Sequence, residues 1–105
     1  MEIIYWNKKA DDFIHDLDRI TSSRAKKTID ALEKFGHLLG MPDSKSLGKG
    51  LFELRTLGKK HLRILYVFHN DRAYIIHCFI KKTWKISFKD INYARRIQKE
   101  IMELA

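Results

Sequence analysis

The sequence predicts an α+β domain of order β-α-α-β-β-β-α, a small antiparallel sheet with an N-terminal helical hairpin and a C-terminal helix. Apolar residues recur with a helical period before residue 40 and again after residue 90. Three β-branched and aromatic runs lie together between residues 51 and 80. Strands are thus grouped apart from helices, which disfavours an alternating parallel α/β fold.

The first strand is Ile3-Ile4-Tyr5-Trp6, ended by Asn7. Phe13, Ile14, Leu17 and Ile20 follow at the spacing of one helix face. Thr21-Ser22-Ser23 offers hydroxyl caps to stop this helix and start another. The second helix carries Ala25, Ile29, Leu32, Phe35 and Leu39 and ends near Gly36 or Gly40, ahead of the only proline, Pro42. So short a break between them predicts an antiparallel hairpin. Residues 40–50 are turn-rich and read as a loop. Leu51–Leu57, Leu62–His69 and Ala73–Ile80 read as a meander turning at Gly58-Lys59-Lys60 and Asn70-Asp71. Its second strand is apolar on both faces, with Ile64, Tyr66 and Phe68 opposite Leu65 and Val67. One face is therefore expected under the helices and part of the other under the C-terminal segment. Ser87-Phe88-Lys89-Asp90 has the hydroxyl and carboxylate of a helix start, and Ile91, Ala94, Ile97, Ile101 and Leu104 continue that helix.

With 105 residues the chain suits one domain, 1–105, and shows no linker or repeat. No apolar run approaches the ~20 residues of a membrane span. The N-terminal residues lack a basic segment leading into an apolar stretch, so no secretory signal is expected. A single cysteine, Cys78, excludes an internal disulfide and suits a reducing cytoplasm. The formal net charge is +8, which points to a polyanionic partner, nucleic acid first. Residues 1–43 hold seven Lys/Arg and eight Asp/Glu, whereas residues 44–105 hold fourteen and five. The whole excess therefore lies in the C-terminal part.

None of the five histidines pairs with another at ligand spacing, and His77 and Cys78, as strand neighbours, are expected on opposite faces, so no metal site is predicted. Cys78 sits mid-strand like a buried thiol, a poor nucleophile. The informative residues are charges set among apolar strand positions. Glu53 and Arg55 share one strand face, and Arg63 lies within Leu62-Arg63-Ile64-Leu65-Tyr66. A turn over Gly58 to Lys60 puts Leu57 opposite His61 and Arg55 opposite Arg63. Facing arginines repel unless Glu53 or a bound anion neutralises them. Beyond the last strand, Lys81 and Lys82 are expected to point to opposite faces. Trp84 and Phe88 interleave with Lys82, Lys85 and Lys89, a pattern suited to stacking on unpaired bases. Lys89, Arg95, Arg96 and Lys99 form an exposed face suited to phosphate contact.

Four blocks in order carry a family resemblance: Gly50-Leu51-Phe52-Glu53-Leu54-Arg55, Leu62-Arg63-Ile64-Leu65-Tyr66, Phe79-Ile80-Lys81-Lys82-Thr83, and Ala94-Arg95-Arg96. Together they resemble the RelE/HigB superfamily of bacterial and phage toxin–antitoxin systems, in its HigB-like branch. The resemblance implies a ribosome-dependent mRNA endonuclease (an mRNA interferase) restrained by a helix-turn-helix, HigA-like antitoxin. It also implies a RelE-like sheet with an N-terminal helical hairpin. Leu62 replaces the aromatic usual before the strand arginine, and Trp84-Lys85-Ile86-Ser87 replaces the usual lysine-threonine-proline continuation. Where related toxins place a tyrosine, the nearest aromatic is Phe88, which has no hydroxyl.

Such cleavage turns the ribose 2′-hydroxyl on its own phosphate and needs an acid, a base and charge stabilisation at phosphorus. Arginine stays protonated, so Arg55 and Arg63 are assigned to the phosphate oxygens. Lys82 or Lys81, within a cluster of like charge, is the acid–base candidate, with Glu53 and His61 as further candidates. No cofactor is needed. Two other readings stay open: a non-catalytic RNA- or ribosome-binding protein on the same basic face, and a degenerate toxin acting only as antitoxin partner and co-repressor.

Overall fold

The computed structural model describes residues 1–56, 58 and 61–104. Leu57, with its expected pairing to His61, and Lys59-Lys60 of the expected turn lie outside the described residues. The elements are β1 (Glu2–Tyr5), α1 (Lys8–His15), α2 (Arg19–Phe35), a 3₁₀ turn (Gly36–Leu38), β2 (Ser44–Gly48), β3 (Leu51–Arg55), β4 (Leu62–His69), β5 (Arg72–Ile80) and α3 (Phe88–Met102). The five strands form one sheet in the order β1-β5-β4-β3-β2, antiparallel except for β1 alongside β5. The fold is α+β, as the sequence predicts, with one strand more than expected.

That extra strand is β2, in the stretch read as a loop. Its Ser44-Lys45-Ser46-Leu47-Gly48 sequence lacks an alternating apolar face, so its signal is the partner β3 rather than its own pattern. The connection to β3 requires left-handed backbone, with φ of +90° at Gly48, +52° at Lys49 and +79° at Gly50. Glycine takes such angles without steric cost, which explains the Gly-Lys-Gly sequence. Ser44 is buried and its hydroxyl meets that of Tyr66.

The helical break also differs from expectation. Asn7 caps α1 by accepting from Ala10 N at 3.0 Å, and α1 ends at His15. Asp18 then caps α2 by accepting from Thr21 N at 3.0 Å. Carboxylate and hydroxyl caps are comparable in strength, and the aspartate comes first in the chain. Thr21-Ser22-Ser23 consequently lie inside α2, while Ile20 is exposed rather than packed. The helix ends at Gly36, whose φ is +52°.

The sheet is covered on both faces. Ala10 and Ile14 of α1 and Ala25, Ile29 and Leu32 of α2 pack on Leu54, Leu62, Ile64, Tyr66, Ala73, Ile75 and Cys78. On the other face Ala94, Ile97 and Ile101 of α3 pack on Leu51, Leu65, Val67, Tyr74 and Ile76. Leu104, expected on the α3 face, lies past the helix end and is partly exposed.

One irregularity positions the site. The β4–β5 register pairs Leu65 with His77 but Tyr66 with Ile75, so Ile76 is an added residue in β5. Such a bulge turns two consecutive side chains to one side. Ile76 packs in the α3-facing core and His77 also reaches α3, while Cys78 returns to the opposite face.

Candidate functional site

The β3–β4 ladder pairs Arg55 with Arg63, the register expected from the turn length. Glu53, on the same face of β3, lies between them. Its Oε1 is 3.4 Å from Arg55 Nε and 3.6 Å from Arg63 Nε. Glu53 is 2% exposed and Arg63 7%, while Arg55 is partly exposed, so among the described residues one buried carboxylate serves two guanidiniums. Arg63 donates from Nη1 to the Leu62 carbonyl at 3.0 Å, while its Nε has no hydrogen-bond partner among the described residues. Burial lowers the Arg63 pKa, the Glu53 carboxylate opposes it, and the like charge of Arg55 adds a smaller lowering. The group keeps excess positive charge beside a buried guanidinium.

This charge opens into a cleft of about 410 Å³ lined by Arg55, His61, Arg63, Lys81, Lys82, Thr83 and Trp84. Four strongly basic side chains therefore share it. Lys81 and Lys82 both line it, contrary to the expected opposite orientations, because β5 ends at Ile80 and strand alternation stops there. The Lys81 amide donates to the His61 carbonyl at 2.8 Å, which holds the segment against the start of β4. Trp84 forms one wall yet is 84% exposed, and Lys85 Nζ lies 5.5 Å from the centre of its ring. Phe88, the first residue of α3, is 86% exposed.

The remaining basic candidates separate. Arg95 donates to the carbonyls of Gly48 at 3.0 Å and Leu47 at 3.2 Å and to Gln98 Oε1 at 3.0 Å. It ties α3 to the β2–β3 turn and lies outside the cleft. Lys89 and Arg96 line a second cleft, also about 410 Å³, with Lys9, His77, Asp90, Asn92 and Tyr93.

Within it His77 Nε2 donates to Asp90 Oδ1 at 2.7 Å, and Ser87 Oγ donates to Asp90 Oδ2 at 2.7 Å. The Asp90 amide donates back to Ser87 Oγ at 3.2 Å, completing the cap read from the sequence. Burial alone raises the Asp90 pKa, but the hydrogen bonds from His77 and Ser87, with the charges of His77 and Lys89, hold it below the usual value. The sequence shows Ser87 and Asp90 as a cap and His77 only as a poor metal ligand, while Lys9 and Tyr93 carry no local signal. Their convergence depends on the bulge in β5 and on where α1 docks, which no local pattern reports.

Burial pushes the Cys78 thiol up to about 12, which leaves it neutral and unreactive. Among the described residues no three His, Cys, Asp or Glu side chains gather as a metal site, and no helix is long and apolar enough to cross a membrane.

A family model described as phage derived protein Gp49-like (DUF891) matches residues 12–99. No curated protein matches the chain.

Proposed function

The chain belongs to the Gp49-like family of phage-derived proteins, RelE/HigB-like toxins of toxin–antitoxin systems, and on that premise we propose that it is an endoribonuclease of the HigB-like branch. In this reading it is a single-domain cytoplasmic toxin of a type II pair that cuts mRNA on the translating ribosome. A HigA-like helix-turn-helix antitoxin restrains it. The observation that carries the proposal is Arg63: a buried guanidinium, shared with Arg55 on one carboxylate, lining a cleft with two lysines and an exposed tryptophan.

The chemistry follows from those groups. The ribose 2′-oxygen attacks the adjacent phosphorus and the P–O5′ bond breaks, leaving a 2′,3′-cyclic phosphate and a 5′-hydroxyl. Arg63 and Arg55 take the non-bridging oxygens, whose charge grows in the transition state, and their planar forks match that geometry. Both are held before substrate arrives, so little reorganisation is needed. Lys82 or Lys81 donates the proton that the leaving 5′-oxygen takes up. The proton of the 2′-hydroxyl needs an acceptor, and the imidazole of His61 at the cleft is the side-chain type suited to that task. Trp84 offers a ring face for an unpaired base. Glu53 serves as the counter-charge that keeps the two arginines together rather than as a base.

A second reading has a specific observation in its favour. Among the described residues the cleft lining includes no carboxylate, and the nearby Glu53 is committed to two arginines. A non-catalytic binder of RNA or of the ribosome uses the same basic surface without needing a base.

Incubation of purified protein with mRNA, with and without translating ribosomes, separates the two. Cutting that requires translation, and that falls at least about 10²-fold in Arg63→Ala, supports the enzyme. Salt-sensitive binding without cutting supports the binder. Full activity of a folded Arg63→Ala, Lys82→Ala double variant overturns the site assignment.

A further inference from the structure

We propose that the second cleft is a phosphate-binding subsite for the RNA strand, receiving a phosphodiester away from the cleavage point. The inference rests on the RNA-binding part of the reading above and not on catalysis. Three cations line this cleft, Lys9 from α1 and Lys89 and Arg96 from α3. None of them has a carboxylate oxygen within salt-bridge distance among the described residues.

The one carboxylate in the lining is already occupied. Asp90 accepts from His77 Nε2 on one oxygen and from Ser87 Oγ on the other. A carboxylate only accepts, so the His77 Nε2 carries its hydrogen and the pair is an internal clamp. The lining therefore sets three cations against one carboxylate and carries net positive charge.

Tyr93 holds that charge in place. Lys9 Nζ and the Arg96 guanidinium carbon each lie 5.5 Å from the centre of its ring, and Asn7 Nδ2 donates to its hydroxyl at 3.3 Å. Cations ordered over a ring face lose less freedom on binding than free surface side chains do. The cleft's volume of about 410 Å³ leaves room for a phosphodiester group.

The linkage to the first cleft identifies the ligand as a strand rather than a free nucleotide. Trp84 lines the first cleft and Lys89 the second, five residues apart in the chain. A chain of that length spans at most about 18 Å, which a few nucleotides of extended RNA can cover. The segment between them presents Trp84 and Phe88, both more than four-fifths exposed. Bases crossing between the clefts would meet two exposed rings, the Trp84 ring with Lys85 Nζ over it.

The test is fluorescence anisotropy of a short, labelled, single-stranded RNA with the full chain across a salt series. Lys9→Ala with Arg96→Ala should weaken binding about tenfold and lower the slope of log affinity against log salt by about 1, since each neutralised phosphate on a single strand contributes about 0.7. Lys89→Ala, which leaves the Tyr93 stack intact, should weaken binding about threefold. Lys26→Ala with Lys45→Ala removes the same charge from exposed sites outside both clefts and should change affinity less than twofold. Wild-type affinity and slope in the folded Lys9/Arg96 variant overturn the proposal. So does an equal loss in the Lys26/Lys45 control, which would mean diffuse charge, or a wild-type protein that does not bind the RNA. Loss of binding in the cleft variants from a protein that never cuts mRNA supports the subsite while rejecting the nuclease.

Discussion

Arg55 and Arg63 face each other across the β3–β4 ladder, and a single Glu53 oxygen lies 3.4 Å from one guanidinium and 3.6 Å from the other. Two like charges at a ladder pair destabilise a sheet, so this pairing persists because the buried carboxylate offsets them. The same arrangement leaves a net positive centre at the floor of a cleft. Stability and anion binding are therefore coupled through one residue.

Removing that carboxylate charge should be costly. Glu53→Gln leaves Arg63 buried and unpaired beside Arg55, the kind of change that typically costs about 3 kcal/mol. Urea denaturation should show it as a lower midpoint with an unchanged slope. A variant as stable as wild type would mean that water or rearrangement already neutralises the arginines.

Arg63→Lys tests geometry separately from charge. Lysine keeps the cation but loses the planar fork that binds two oxygens at once. Ribosome-dependent mRNA cutting should fall about 10²-fold with little change in melting temperature. Undiminished cutting would show that a point charge suffices.

The Asp90 clamp predicts an acid limb. Its carboxyl is held below the ordinary aspartate value in the fold. A depressed folded pKa contributes stability that is fully present above the unfolded value and is lost as pH falls through the folded one. Stability measured by denaturant titration should therefore decline below about pH 4, and more steeply than in Asp90→Asn. Parallel curves for the two proteins would show that the clamp adds nothing.

Cys78 should be inert in the native protein. With its thiol buried and raised to about 12, it should resist a disulfide reagent at pH 8 and react fully once unfolded. Cys78→Ala should retain mRNA cutting. Rapid labelling of the folded chain would contradict the packing of β5 against α1.

Much of the site was legible because it depends on local periodicity and on counting through a turn. Arg55 and Arg63 stand out as charges at apolar strand positions, and the number of residues between them sets their pairing. The Ser87 cap is legible for the same reason, since its partners lie three residues apart. Strand alternation separates Lys81 from Lys82, but the ladder ends at Ile80 and both line the first cleft. Arg95 resembled its exposed basic neighbours until its contacts with Leu47 and Gly48, almost fifty residues away, gave it a structural role.

By itself, then, the sequence determined the kinds and order of most elements, the division of charge between the two parts of the chain, and the facing arginines. Hydrophobic period, caps and turn length act over a few residues and are written into the chain locally. Only the tertiary structure decided that residues 44–48 pair as an edge strand, that the helical break falls at Asp16–Asp18, and that a bulge at Ile76 aims His77 toward Asp90. Those outcomes turn on which cap or partner prevails among near-equal local alternatives. Long-range packing makes that choice, and with it assembles the second cleft.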